Sequence, residues 1–280
     1  MTKKNKQTTY VALILDKSGS MGNDRSNPNR VGATIAGFNE QVQQLKEDAK
    51  DMDIKVCLVT FNGNVYEHLW LVSAGEISET NADGYIPSGS TAMYDALGYT
   101  IDKLQETAPD DENSAYMVVL MSDGQNNASK HYTPDAIFES RESLEKSGRW
   151  TFTYLGCSKE QIGRMAAKTG VKLGNAMAFG NDSIGIRRAF RAGKEGLGGY
   201  MARRRAGVMA VSNVYSDAES IDEVCTAEEL TASFDDMAIG ADIGKSLIDD
   251  VSIVNATSES ATSSLLGTCV PVDWSSRKKK

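Results

Sequence analysis

The stretch Leu15-Asp16-Lys17-Ser18-Gly19-Ser20-Met21-Gly22 decides the fold and points to a function. It follows an apolar run that begins at Tyr10, and such a run predicts a buried strand of a parallel sheet. The strand therefore ends at a carboxylate, and two serines follow it at alternate positions. Carboxylate and hydroxyl oxygens at this spacing can point at one centre, and they are the ligands that Mg2+ prefers.

Two later segments carry matching oxygen ligands. Ser90-Thr91 opens an amphipathic helix after the loop 84–89, and Ser122-Asp123-Gly124 ends a second apolar run. Each segment also has an ordinary interpretation, since Asp16 and Asp123 suit turns that follow strands, and Thr91 suits a helix N-cap. If the two strands are neighbours, however, their carboxyl ends meet in the crevice where doubly wound sheets bind ligands.

Together the three segments resemble the metal-ion-dependent adhesion site of von Willebrand factor A domains, whose pattern is Asp-x-Ser-x-Ser, then Thr, then Asp. The resemblance covers roughly residues 8–190, and the matching residues are Asp16, Ser18, Ser20, Thr91 and Asp123. It implies that the serines and the threonine bind Mg2+ or Mn2+ directly, while the two aspartates act through water or at longer range. It also implies a non-enzymatic protein-binding module, in which an Asp or Glu of a partner protein completes the metal shell.

Two other functions are compatible with parts of the sequence. Haloacid-dehalogenase-like phosphotransferases also place an aspartate after the first strand, and Asp16 would be the nucleophile, but their second aspartate is replaced here by Ser18. Residues 187–205 hold seven basic side chains and one acidic one, so a basic helix that binds nucleic acid or an acidic protein is the other alternative. The acidic C-terminal part argues against nucleic acid as the partner.

The spacing of apolar residues predicts a doubly wound, Rossmann-like α/β sheet, mostly parallel with one antiparallel edge strand. Asn62-Gly63 predicts a two-residue hairpin turn with positive φ, and it would make the third strand antiparallel. The glycine-rich stretch 193–199 predicts a flexible connection after the last helix. The expected strands are 9–15, 54–61, 65–72, 116–121, 150–156 and 176–179, and the expected helices are 30–49, 91–105, 134–147, 158–169 and one from Asp182.

Composition divides the chain into a neutral front and an acidic back. The net charge is −8, and residues 206–280 hold 13 acidic but only 5 basic side chains. We therefore expect a flexible N-terminus at 1–8, the α/β domain at 9–205, and an acidic extension at 206–280 that is partly helical or disordered. Four widely spaced cysteines, and the lack of a signal-peptide pattern or a transmembrane run, predict a cytoplasmic protein that does not act at a membrane. The sequence leaves the oligomeric state and the identity of the partner open.

Overall fold

A six-stranded sheet forms the centre of the computed structural model. The structure describes residues 7–26, 28–81, 84–123, 125–156, 159–178, 180, 183–215, 265–266, 269–275 and 277. The strands are β1 (Thr8–Asp16), β2 (Asp53–Phe61), β3 (Val65–Ser73), β4 (Ser114–Ser122), β5 (Trp150–Gly156) and β6 (Ala176–Ala178). Their order is β3-β2-β1-β4-β5-β6, and each neighbouring pair is parallel except β2 with β3, which is antiparallel. The doubly wound α/β fold with one antiparallel edge strand is therefore confirmed.

Helices cover both faces of the sheet. They are α1 (Arg30–Asp48), α2 (Met93–Thr107), α3 (Pro134–Lys146), α4 (Lys159–Thr169) and α5 (Ser183–Arg205). On one face, Ile14 and Val118 pack with Leu97 of α2 and Ile137 of α3 in the main apolar cluster. On the other face, where α1 contacts α5, a small cavity of about 10 Å³ is lined by Leu13, Leu15, Val119 and the two helix residues Phe38 and Phe190. Side chains of a strand point alternately to the two faces of the sheet. Because helices cover both faces, the central strands are apolar along their whole length.

The hairpin between β2 and β3 differs from the predicted one. Phe61 pairs with Val65, so the connecting loop has three residues, 62 to 64, rather than two. Asn64 N donates to Asn62 Oδ1 at 3.0 Å, and Asn62 N donates to Asn64 O at 2.9 Å. Among the described residues Leu71 is the only one besides glycine with a positive φ, and Gly63 does not share it, so the predicted turn with positive φ is wrong. The amide of Asn62 closes the loop instead.

The last helix is longer than the glycine-rich stretch suggested. Residues 193–199 lie inside α5, which continues to Arg205 without interruption. A Cβ at Gly193 would lie 2.4 Å from Gln41 Nε2 of α1, and one at Gly196 would lie 2.7 Å from the ring of Tyr215. These glycines therefore allow close packing of the helix, and the predicted flexible connection is wrong.

The chain continues along the sheet beyond Arg205. Val211 N donates to Thr151 Oγ1 at 2.9 Å, and Tyr215 N donates to Gly174 O at 2.9 Å. By its internal contacts the chain divides into one unit of Met1–Ser216 with Ser264–Lys280, and a second unit of Asp217–Ser263. The second unit lies outside the described residues, as does most of the predicted flexible N-terminus, although Thr8 already belongs to β1. No helix of the described part of the chain is long and apolar enough to cross a lipid bilayer.

Candidate metal centre

Asp16 is the last residue of β1 and lies where β1, β2 and β4 end together. Its Oδ1 accepts a hydrogen bond of 2.7 Å from Ser18 N, and its Oδ2 accepts one of 2.5 Å from Ser122 Oγ. The carboxylate is completely buried, with a relative exposure of 0%. Burial raises the pKa of Asp16 to about 6, although the hydrogen bonds from Ser122 and Ser18 oppose the shift, and the charge of Asp123 adds to it.

The two serines connect Asp16 to Asp123. A short 3-10 turn, Gly19–Met21, follows Ser18 and brings Ser18 Oγ to 3.1 Å from Ser20 Oγ. Ser20 Oγ in turn donates a hydrogen bond of 2.7 Å to Asp123 Oδ1. Burial raises the pKa of Asp123, while the bond from Ser20 and the charge of Arg30 lower it. Four of the five predicted residues are thus linked by hydrogen bonds at the carboxyl ends of β1 and β4.

Thr91 lies in the adjoining loop, and it is not the helix cap. The N-cap of α2 is Ala92, so the interpretation of Thr91 as a simple helix cap is wrong. Thr91 is buried, its N donates to Asn127 Oδ1 at 2.8 Å, and its carbonyl oxygen accepts the amides of Asn127 and Ala128. Within the described part of the chain, the hydrogen bonds of Thr91 are these main-chain contacts.

Main-chain hydrogen bonds fasten the loop before α2 to the loop after β1. Ser88 N donates to Lys17 O at 2.9 Å, and Gly19 N donates to Gly89 O at 3.0 Å. Gly89 has a φ of +75°, a left-handed conformation that a side chain would strain. The segment that carries Thr91 is therefore held beside the serines.

Arg30 is the main residue of the site that the sequence reasoning missed. Its guanidinium donates to Ser20 O and, at 3.2 Å, to Asp24 Oδ2, although the residue is only 5% exposed. A cation at the first residue of a helix is unfavourable to the helix dipole. An arginine at this unfavourable position implies that acidic groups lie nearby, and the sequence could have predicted this. The charge of Arg30 does lower the pKa of Asp123.

Tyr85 and Ser122 also support Asp16. Tyr85 is 1% exposed, and its hydroxyl donates to the carbonyl oxygen of Asp16, whereas Ser122 Oγ donates to the carboxylate. The sequence placed Tyr85 in a polar loop and gave Ser122 no role. A single aromatic residue in a polar loop indicates a side chain that anchors the loop, and this pattern could have predicted the role of Tyr85.

The donor set fits a hard divalent cation in its chemistry and spacing. In an octahedron with metal–oxygen bonds of roughly 2.1 Å, adjacent oxygens lie about 3 Å apart. The serine oxygens lie 3.1 Å apart, and Ser20 Oγ lies 2.7 Å from Asp123 Oδ1. In the described ranges no three acidic, histidine or cysteine side chains form a metal-type cluster, so this would be a site of two carboxylates enriched in hydroxyls.

Comparisons with known proteins agree with this reading of the fold. Residues 11–125 match the family model of the von Willebrand factor type A domain. The search among curated proteins found none that matches the chain.

Several solved structures are similar in fold. The vWF domain of the type V pili tip protein Mfa5 from Porphyromonas gingivalis has 10% identity and a TM-score of 0.53, with 72% of this chain and 97% of that chain covered. The PilB minor pilin from Streptococcus sanguinis has 15% identity and a TM-score of 0.51, with 72% of this chain but only 64% of the pilin covered. The manganese-loaded TRAP protein of Plasmodium vivax has 20% identity and a TM-score of 0.45, with 65% and 72% covered. At these identities the likeness concerns the fold alone.

Proposed function

Because the chain contains a von Willebrand factor type A domain in residues 11–125, we propose that it is a divalent-cation-dependent protein-binding module. Domains of this family are metal-dependent interaction modules and are generally not enzymes. In the proposal, Mg2+ or Mn2+ binds among Asp16, Ser18, Ser20, Thr91 and Asp123. An Asp or Glu of a protein partner completes the coordination shell.

The continuous hydrogen-bonded path from Asp16 to Asp123 is the observation that carries this proposal. Ser18 and Ser20 form the middle of that path, and their hydroxyls are 3.1 Å apart. A cation between these oxygens would replace the hydrogen bonds with metal contacts, either direct or through water. It would also offset the free-energy cost of burying the charged forms of Asp16 and Asp123, whose pKa values burial raises.

Exposure along the path indicates the side from which a partner would approach. Asp16 and Ser18 are 0% and 1% exposed, whereas Gly19 and Ser20 are exposed. Hydroxyl and water ligands carry no charge, so a metal held directly by them, with the two aspartates acting at longer range, would still attract an external carboxylate. We propose that the carboxylate enters beside Ser20.

Two observations count against parts of the two alternatives. A nucleophilic Asp16 must reach a phosphoester, but its carboxylate is buried, and both of its oxygens accept hydrogen bonds. In the basic cluster, Arg204 is 0% exposed and donates to Thr9 Oγ1 at 3.1 Å. Arg205 forms ion pairs with Asp48 at 2.8 Å and Asp51 at 2.9 Å, so these two cations stabilise the fold.

Titration calorimetry with Mn2+ tests the metal site. We expect the full chain to bind Mn2+ and the double variant Ser18→Ala/Ser20→Ala to bind it at least tenfold more weakly, because two direct ligands are lost. Ser147→Ala is the matched control, since it removes an exposed hydroxyl that bonds to Leu144 O at the end of α3. Equal Mn2+ affinity in the wild type and the double variant would refute the site.

Water-proton relaxation tests the open coordination position. Bound Mn2+ that retains exchangeable water should enhance relaxation, and added acetate should lower the enhancement as its carboxylate displaces that water. If acetate leaves the enhancement unchanged while Mn2+ stays bound, the metal has no coordination position that an external carboxylate can enter. The proposal of a partner carboxylate is then wrong.

The proposed compartment is the cytoplasm. Cys57 and Cys269 are free thiols, which is the state that a reducing compartment maintains. Fractionation of cells that express a tagged full chain tests this assignment.

A further inference from the structure

A short C-terminal segment lies across the outer edge of β3. This C-terminal strap consists of the described residues 269–275 and 277. Val272 N donates to Val65 O at 2.8 Å, Pro271 forms an antiparallel bridge with Tyr66, and Cys269 Sγ donates to Glu67 O at 2.7 Å. The strap thus adds an extended segment to an edge strand, which is a common mode of peptide recognition.

Trp274 anchors the strap in an aromatic recess. Its ring stacks on His131, with centroids 4.0 Å apart and planes 7° apart. It meets Tyr99 and Tyr132 edge to face, at 5.9 and 6.2 Å. Stacked and edge-to-face aromatic pairs attract each other beyond the effect of the area they bury, so Trp274 is the main aromatic anchor of the strap.

Arg277 adds a second, polar anchor. Its guanidinium lies 4.5 Å from the ring centroid of Tyr99, and its Nη2 lies 3.4 Å from Glu106 Oε2. Val270, by contrast, is 82% exposed. The strap therefore has distinct anchoring and non-anchoring positions.

The recess is held together by bonds that do not involve the strap. Tyr99 Oη donates to Glu67 Oε2 at 2.5 Å, and Tyr132 Oη donates to Asp102 Oδ2 at 2.7 Å. The carboxylate of Asp95 accepts the amides of residues 130, 131 and 132 at 2.8 to 2.9 Å, which fixes the loop that carries His131. Because these bonds are independent of the strap, we expect the recess to keep its shape when the strap leaves, and a preformed recess lowers the entropic cost of binding.

We propose that the outer edge of β3 and this aromatic recess form a peptide-docking site for an extended segment anchored by tryptophan. Its occupant is the chain's own C-terminal segment, which behaves as a tethered, releasable ligand. Residues 216–264 separate the strap from the preceding part of the domain in sequence, and Leu266, just before the strap, is buried. The covalent chain therefore keeps the strap at a high effective concentration near its site. The site shares no residue with the five candidate metal ligands, so we expect its occupation not to require the metal.

Peptide binding in trans tests this proposal. The probe is a fluorescein-labelled peptide of residues 269–280 under reducing conditions, and the acceptor is the full chain with Trp274→Ala, whose own strap lacks its anchor. We expect saturable fluorescence polarisation with this acceptor and at least tenfold weaker binding to the wild-type chain, because the wild-type site is occupied. A peptide with Trp274→Ala should bind at least tenfold more weakly than the native peptide, whereas one with Val270→Ala should bind equally well.

The two control peptides separate recognition from charge. Both retain the basic end of the native peptide, so equal binding of the native and Trp274→Ala peptides would reveal non-specific attraction and overturn the proposal. Absence of binding to a folded Trp274→Ala chain, checked by circular dichroism, would also overturn it. Val272→Asp provides a second acceptor, because it places a charge where the strap packs against the apolar core. If neither acceptor folds, the strap is an inseparable part of the domain and not a ligand.

Discussion

The hydroxyl of Ser122 donates a hydrogen bond of 2.5 Å to Asp16 Oδ2, and it thereby joins the carboxyl ends of β1 and β4 at the candidate metal centre. Asp16 is ionised at pH 7 in both the folded and the unfolded chain, because its pKa is about 6 when folded and about 3.8 when unfolded. Burial therefore penalises the folded state at this pH. The carboxylate is retained at the expense of stability, which is typical of a functional residue.

We therefore predict that Asp16→Asn stabilises the metal-free chain at pH 7 by about 1–2 kcal/mol. The amide can accept from Ser18 N and donate to Ser122 Oγ, so both hydrogen-bonding positions remain in use. Urea unfolding in EDTA measures the change. Added Mn2+ should then stabilise the wild type and leave the variant unchanged, and a variant less stable than the wild type in EDTA would contradict the prediction.

Arg30 places a positive charge beside the oxygens that are proposed to hold a cation. We predict that Arg30→Gln tightens Mn2+ binding by about tenfold, since repulsion between nearby like charges is worth on the order of 1–2 kcal/mol at the effective dielectric of a protein. Glutamine retains a donor for Ser20 O, which Arg30 contacts in the structure. Calorimetry provides the measurement.

Arg25→Gln is the matched control for Arg30→Gln. Arg25 lies in the loop that precedes α1 and is exposed, so the removal of its charge should change Mn2+ affinity far less. If Arg30→Gln instead weakens Mn2+ binding, the guanidinium serves mainly to position the serine loop.

The strands, and the places of the candidate metal-site residues in the fold, could be predicted from sequence because each depends on a local pattern. A parallel strand buried on both faces must be apolar throughout, so the predicted strand 9–15 lies within one residue of β1 at each end. The position of Asp16 relative to Asp123 then followed from the pairing of β1 with β4. Arg30 was missed because its burial depends on Asp24 and Asp123, which no local pattern connects to it.

The prediction of a flexible connection within α5 was wrong because a glycine that permits close packing and one that gives flexibility look alike in sequence. Gly196 lies against Tyr215, and a Cβ there would come within 2.7 Å of the ring, so the residue allows close packing. Only knowledge of the packing partner, 19 positions away in sequence, separates this role from flexibility. The Asn62-Gly63 turn failed for a similar reason, since the side chain of Asn62 closes a three-residue loop.

A pair of substitutions in α5 tests the packing role. Gly196→Ala should destabilise the chain by about 1–2 kcal/mol, because Tyr215 must move. Gly199→Ala should stabilise it by about 0.5–1 kcal/mol, since alanine favours a helix and a Cβ there would meet no described atom within 4 Å. Thermal unfolding of both variants provides the measurement, and two stabilising effects would show that Tyr215 does not restrict the helix.

His68 on β3 makes the stability of the fold depend on pH in the acidic range. Burial, and then the charge of Lys17, lower the pKa of His68 to about 4 from the usual 6.5, and a hydrogen bond to the main chain of Leu265 opposes this shift. Its Nε2 lies 2.8 Å from Thr60 Oγ1. The unfolded chain therefore binds a proton more readily than the folded chain between pH 6.5 and 4. Stability must fall as the pH drops through that window and must level off, for this group, below pH 4.

We predict that His68→Gln removes this part of the acid sensitivity. Glutamine does not titrate and can still bond to Thr60, so the variant should lose about 1–2 kcal/mol less than the wild type between pH 7 and pH 4. Urea unfolding of both chains at the two pH values, in EDTA, isolates the histidine, because every carboxylate titrates alike in both proteins. Equal losses of unfolding free energy in the two chains would mean that His68 binds a proton as readily in the folded chain as in the unfolded chain.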